Sequence, residues 1–330
     1  MEMECVARLT GARRQKWEAL LEKAGLEPDE SWESTVLLWE GETLAAAASR
    51  QEGLLKCIAV DDDYQGLGLT ATLVTQLTQE AFQAGHRHLF LYTKPQNQWT
   101  FSSLFFYPVA KTDKVLLMEN RRNGIGEFLS SLPQPHPGET IGGAVMNCNP
   151  FTRGHRYLIE TAARECDWVY VFVLSEDKSH FSATDRMEMV KRGTADLPNV
   201  TVLPTGPYLL SAATFPTYFL KEREKATEIQ CSLDIEIFAR YYAPKYGITR
   251  RYVGTEPLSP TTCRYNEALK ALLPQRGIDL REIPRLEQAG TPVSATAVRE
   301  NLGNPPALEA LLPPSTYAYL MEKGLAVPEK

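Results

Sequence analysis

No stretch of this chain is apolar for long enough to span a bilayer, and the start Met1-Glu2-Met3-Glu4-Cys5 carries acid where a secretory signal carries base. A cytoplasmic location without a membrane partner is expected. Basic charge is also scarce: 35 Lys and Arg against 41 Asp and Glu leave a net charge of −6, too weak a positive field to hold a phosphate backbone. No nucleic-acid partner is expected. Nor is there a C-x-x-C pair; the six cysteines, at 5, 57, 148, 166, 231 and 263, are scattered with no histidine at ligand spacing. They read as reduced thiols, and no metal-ligating residue is expected. What is present suffices for two globular domains: 330 residues, 43% of them hydrophobic.

The first third reads as an antiparallel sheet. Residues 34–39 and 43–50 flank Glu40-Gly41-Glu42 as a hairpin, and 54–60 supply a third strand after Gln51-Glu52-Gly53. Gln65-Gly66-Leu67-Gly68-Leu69-Thr70 then turns into a helix through Leu73, Leu77 and Phe82, whose spacing predicts one shared apolar face. Residues 88–93 return as a strand, an aromatic-rich helix holds Trp99, Phe101, Phe105 and Phe106, and 114–119 form a last strand. This order, with the Q-x-x-G-x-T turn, resembles the GNAT acetyltransferases, whose pyrophosphate loop binds coenzyme A. A turn that binds nothing is the plainer alternative. Thr70 stands where that family has a small residue and crowds the approach, and no general base for an amine is legible.

Pro133, Pro135, Pro137 and Gly138 interrupt any helix or central strand, so a joint is expected there, with domains at 1–130 and 131–330. Residues 126–132 read as a short bridging helix. Beyond the joint, strands at 141–146, 168–174 and 200–203 alternate with helices at 153–165 and 183–194. Later strands at 251–254 and 279–284 follow helices near 233–246 and 265–273. Such alternation predicts a Rossmann-like parallel sheet, extended on its other side by the later strands, with a ligand crevice at the strands' carboxyl ends.

Asn147-Cys148-Asn149-Pro150-Phe151-Thr152-Arg153-Gly154-His155 leaves the first of these strands and opens a helix. The first N–H groups of a helix converge on one spot and favour an anion. Gly154 lets the main chain approach it closely, and His155 can set an imidazole N–H against a phosphoryl oxygen as charge develops. The chemistry implied is attack on a nucleotide phosphate. Far along the chain, Ser294, Thr296 and Arg299 offer two hydroxyls and a guanidinium at another helix start, suited to the β- and γ-phosphates of ATP or, alone, to simple helix capping.

Other candidates flank these. Cys148 is a nucleophile or, more simply, a small packing residue. After the second strand, Lys178 can neutralise a phosphate or carboxylate facing His155, His180 can assist or merely hydrogen-bond in its loop, Ser182 reads as a cap, and Arg186 reaches back to the crevice. Gly254 and Glu256 end a later strand, where an acid can hold a ribose hydroxyl or, through water, Mg2+. Thr261, Thr262, Tyr265 and Asn266 follow and line the same crevice. Aromatics in 212–219 wall an acyl pocket or cover the sheet.

The T-x-G-H and S-x-T-x-x-R turns resemble the nucleotidyltransferase superfamily that includes the pantetheine-phosphate and nicotinamide-nucleotide adenylyltransferases. Joined to a GNAT-like unit, and with M-N-x-N-P-F-T-x-G-H, E-D-x-S-x-F, T-F-P-T-Y-F and V-G-T-E-P, the whole chain resembles the citrate lyase ligase family. Met146, where many adenylyltransferases have Gly, fits that family. The resemblance implies an ATP-dependent ligase that activates acetate as acetyl adenylate and acetylates the prosthetic-group thiol of the citrate lyase acyl carrier subunit, releasing AMP and pyrophosphate. In that scheme His155 and Thr152 stabilise the α-phosphoryl transition state, Lys178 and Arg299 counter charge, and Mg2+ bridges phosphates. Asn147, Asn149, Phe151, Gly154, Arg186, Gly254, Glu256, Ser294 and Thr296 hold the nucleotide. Gln65, Gly66 and Gly68 hold the coenzyme A-like prosthetic arm. Two other readings stay open: an adenylyltransferase joining AMP to a phosphate, and a non-catalytic module that senses nucleotide and coenzyme A.

Overall fold

The computed structural model describes residues 1–29, 31–209, 218, 226–256, 259–288 and 290–326. The chain forms two compact units, Met1–Gly124 with Phe215–Leu233, and Ile125–Thr214 with Asp234–Lys330. Among the described residues no helix is long and apolar enough to cross a membrane.

In the first unit, β1 (Glu2–Val6), β2 (Ser34–Glu40), β3 (Thr43–Gln51), β4 (Leu54–Val60), β5 (Phe90–Thr93), β6 (Tyr107–Lys111) and β7 (Leu116–Glu119) make one sheet, ordered β1-β2-β3-β4-β5-β7-β6. Neighbours are antiparallel except β4 and β5. These two run parallel and pair at Leu54 with Phe90 and Leu55 with Leu91, with no pairing recorded beyond. A bulge in the β3–β4 register accompanies the break: Cys57 takes φ of +53°, and the strand is re-aimed there. The interrupted ladder leaves a groove between β4 and β5.

Helix α1 (Gly11–Lys23) buries Trp17, Leu20 and Leu21 against this sheet, and α2 (Leu69–Gln83) buries Leu73, Val74, Leu77 and Ala81. Each fully buried leucine contributes roughly 2 kcal/mol of transfer free energy. Phe82 does not share that face, contrary to the reading from spacing. It lies nine residues after Leu73, half a turn out of phase at 100° per residue, and is 47% exposed. The aromatic run is likewise only partly helical. Helix α3 (Gln98–Ser102) ends before Phe105, whose φ is +62°; Phe101 and Phe106 are buried while Trp99 and Phe105 point to solvent.

The chain assignment also differs from a simple cut at residue 130. Tyr218, from the second half of the sequence, is buried in the first unit: its hydroxyl donates to the Tyr92 carbonyl at 2.6 Å, and its own carbonyl accepts from the Glu27 N–H at 2.6 Å. The other residues of 212–219 lie outside the described residues.

In the second unit, β8 (Ile141–Met146), β9 (Trp168–Val173), β10 (Val200–Pro204), β11 (Arg250–Gly254) and β12 (Asp279–Ile283) form a parallel sheet ordered β10-β9-β8-β11-β12. Helix α4 (Gly124–Ser131) lies at the joint. Helix α5 (Arg153–Glu165) follows β8, and α6 (Ala183–Thr194) follows β9. Helix α7 (Ala226–Ile237), of which residues 226–233 belong to the first unit, runs through a π-helical turn at Phe238–Tyr242 into α8 (Ala243–Tyr246), and α9 (Pro260–Leu272) and α10 (Ala295–Glu300) come after β11 and β12. Strand order reverses between β8 and β11, so their carboxyl ends open a crevice at the switch point.

Phe151, at the head of α5, anchors the core beneath that crevice. A Cβ placed on Gly193 of α6 would lie 2.3 Å from its ring. Alanine normally favours a helix interior by about 0.5–1 kcal/mol over glycine, but overpacking of a filled core costs about 1–3 kcal/mol. Gly193→Ala should therefore lower the thermal unfolding midpoint. A raised midpoint would show that Phe151 can step aside.

Candidate active site

After β8 the chain turns through residues 147–150, with a cis Asn149–Pro150 bond and Cys148 at φ of +53°. Arg186 braces the turn from beneath. It is fully buried and donates to the carbonyls of Asn147 at 3.0 Å, Leu174 at 2.8 Å, Phe181 at 3.1 Å and Glu176, and to Asn147 Oδ1 at 2.7 Å. Arg186 is thus a strut between the loops after β8 and β9 and not a ligand facing the crevice. Asn149 is used in the same way: Oδ1 accepts from the Phe181 N–H at 3.0 Å and its carbonyl accepts from Arg299. Cys148 is 1% exposed, and burial pushes its thiol far above the ordinary range, so it packs and does not attack.

Thr152 caps α5. Its Oγ1 accepts from the His155 N–H at 3.3 Å, while the Thr152 N–H donates to His155 Nδ1 at 3.1 Å. Because Nδ1 is the acceptor, the ring proton sits on Nε2. Burial of the ring, helped by the charge of Arg285, pulls His155 down to about 4. The imidazole is therefore neutral at pH 7, and its Nε2–H is a hydrogen-bond donor. Phe151, assigned to the nucleotide from sequence, is fully buried and stacks beneath this ring, with centroids 6.0 Å apart. Its place is structural.

The two distant motifs meet. A Cβ on Gly154 would stand 3.2 Å from the Val293 carbonyl oxygen, so glycine admits the second segment to the head of α5. Ser294 caps α10, its Oγ accepting from the Ala297 N–H at 3.1 Å. Arg299 spans the gap to the Asn149 carbonyl and donates to Thr296 Oγ1 at 3.0 Å. A crevice of about 690 Å³ results, with Asn147, Thr152, Gly154 and His155 on one wall and Ser294 and Thr296 on another. Gly254 and Glu256 line it from the end of β11, joined by Thr262, Tyr265 and Asn266.

Lys178 is placed differently from expectation. With His180, Arg299 and Leu302 it lines a second cavity of about 430 Å³, linked to the crevice by the Asn147–Ser179 and Arg299–Thr296 hydrogen bonds. Glu256 is ion-paired with Arg285, a residue passed over in the sequence although it follows β12 at the same carboxyl edge as the others. Pro257 lies outside the described residues.

In the first unit, the β4–β5 opening is a groove of about 290 Å³ lined by Ile58, Gln65, Tyr92, Lys94 and Tyr218. Gln65 also donates to Asp62 Oδ1 at 2.7 Å. Gly66 and Gly68 have φ of +81° and +74°, left-handed values that exclude most side chains, and Gly68 starts α2 without a side-chain cap.

The family model described as the citrate lyase ligase C-terminal domain matches residues 141–320, and that of the acetyltransferase (GNAT) family matches 7–101. The citrate (pro-3S)-lyase ligase of Klebsiella pneumoniae is 40% identical over 318 residues, 94% of this chain and 93% of that one. This chain belongs to the citrate lyase ligase family. The enzyme of the same name from Escherichia coli K12 is 38% identical, covering 91% of this chain and 88% of that one. Among solved structures, Thermotoga maritima TmcAL bound with alpha-thio ATP aligns over 56% of each chain at 16% identity and a TM-score of 0.36. The fold class is α/β as read from the sequence: a GNAT-like α+β unit followed by a Rossmann-like parallel-sheet unit that the citrate lyase ligase C-terminal domain model matches.

The neutral state of His155 has a measurable sign. Its folded value, about 4, lies below its unfolded value, 6.5, so its stabilisation is complete above pH 6.5 and is lost as pH falls through about 4. In that window the slope approaches about 1.4 kcal/mol per pH unit. Denaturant melts from pH 7 to 4 should show His155→Gln losing less stability than the parent chain; equal losses would mean that folding does not lower the pKa of the ring.

Proposed function

We propose that this chain is an acid–thiol ligase that forms AMP. The carboxylate of acetate attacks the α-phosphorus of MgATP, and the bond to the β-phosphate breaks to release pyrophosphate, leaving acetyl adenylate. The prosthetic-group thiol of the citrate lyase acyl carrier subunit then attacks the acetyl carbonyl, and AMP leaves. The supporting observation is the meeting of residues 152–155 with 294–299 around one crevice, at the head of a helix whose N–H groups favour an anion. Membership of the ligase family favours this reading over an adenylyltransferase that would retain AMP in its product, and over a sensor.

The residues divide the work by charge. His155 Nε2–H donates to the α-phosphoryl oxygen as negative charge builds there, while Thr152 fixes the ring that carries the proton. Asn147, Gly154, Ser294 and Thr296 border the nucleotide in the crevice. Lys178 and Arg299, in the adjoining cavity, receive the β- and γ-phosphates and the departing pyrophosphate. Mg2+ enters as part of the nucleotide substrate. Gly254 and Glu256 border the same crevice from β11. The first unit serves the second step: its β4–β5 groove, with Gln65, Gly66 and Gly68 at the mouth of α2, holds the coenzyme A-like arm of the carrier. A cytoplasmic chain fits that partner.

With ATP, Mg2+, acetate and hydroxylamine, the chain should yield acetyl hydroxamate and pyrophosphate with no partner protein. His155→Ala should lower that rate roughly a hundredfold, about 3 kcal/mol of barrier, while the thermal melt at pH 7.5 stays cooperative. Undiminished turnover would remove His155 from the chemistry. Calorimetric titration of the whole chain with dephospho-coenzyme A should give a binding isotherm; a flat trace at millimolar ligand would remove the groove's role.

A further inference from the structure

Two anions meet in the proposed first step, a triphosphate and a carboxylate, and each needs a counter-charge. Lys178 and Arg299 line the cavity beyond the turn. Among the described residues that line the crevice beside His155, Arg285 is the one lysine or arginine. It is held rigidly at the carboxyl edge of β12: Nε donates to the Thr255 carbonyl at 2.8 Å, Nη2 to the Glu256 carboxylate, and its backbone N–H to Thr255 Oγ1 at 3.2 Å. Those bonds use one edge of the fork. Among the described residues no acceptor meets the Nη1 hydrogens, and the side chain is 25% exposed in the crevice wall.

We infer that Arg285 binds the carboxylate of the acid substrate and presents it to the α-phosphorus beside His155. The inference rests on the ligase reading above. The chemistry selects a carboxylate over a phosphate chain in two ways. Glu256 occupies Nη2 on one side of the guanidinium, which leaves the Nη1 donors, in the guanidinium plane, as a match for a single carboxylate. Ile283, Pro284 and Leu286 lie next to Arg285 in the crevice wall and offer an apolar surface to a short alkyl group. Arg285 and His155 line the same crevice. Glu256, which holds Nη2 of Arg285, is a positioning residue in this scheme.

The test is steady-state hydroxamate formation with acetate and ATP varied separately, together with calorimetric ATP binding in the absence of acetate. Arg285→Gln should raise the acetate KM by about tenfold to a hundredfold, the loss expected for one hydrogen-bonded charge contact, with ATP binding unaltered. Arg285→Lys, which keeps the charge and the pairing with Glu256 but loses the planar fork, should fall between. An unchanged acetate KM in Arg285→Gln would overturn the assignment. So would a loss of ATP affinity that matches the rise in acetate KM, which would make Arg285 a nucleotide contact. A parent chain that makes no hydroxamate from acetate would remove the ligase reading itself, and this inference with it.

Discussion

The site depends on the pair of hydrogen bonds exchanged between Thr152 and His155. A threonine cap satisfies one of the N–H groups left free at the start of α5, a contribution of about 1 kcal/mol to stability. The returning bond, from the Thr152 N–H to Nδ1, does more, since it leaves Nε2 as the protonated nitrogen and turns it outward as a donor. One local motif therefore both begins the helix and sets the tautomer. Burial then keeps the ring uncharged, so the donor is present across the neutral range without a titration step. Phe151 beneath the ring and Gly154 beside it complete the setting, one by filling the core and the other by leaving room.

Arg186 performs the corresponding service for the turn. A buried guanidinium is tolerated when its donors are matched, and here four carbonyls and a side-chain amide oxygen from two loops converge on it. Those carbonyls come from chain leaving β8 and β9, the strands whose ends frame the crevice. The position of Asn147 thus depends on a charge that is itself fully buried.

Much of this was legible from residue order, and the failures have definite causes. Strands 141–146 and 54–60 and helices 153–165 and 183–194 appear where periodicity and turn residues put them. The strand Glu2–Val6 escaped because alternate acidic residues leave it mostly exposed, with no apolar face to read. Phe82 lies off the buried face because it is half a turn out of phase with Leu73, and hydrophobicity alone carries no phase. At the site, the motif residues were found, but sequence cannot tell which side of a loop a long side chain takes. Arg186 turned inward to carbonyls, and Lys178 turned to the adjoining cavity. Arg285 carries no motif; its importance comes from where β12 ends in the sheet.

Tyr218 bears on how the chain comes to be made. The first unit contains a buried tyrosine supplied from residue 218 of 330, hydrogen-bonded to the carbonyl of Tyr92 in the wall of its groove. Domains emerging from the ribosome usually settle in order, amino-terminal first. Here the earlier unit cannot be completed until residue 218 has been added, after β8, β9 and β10, so translation order and completion order are crossed.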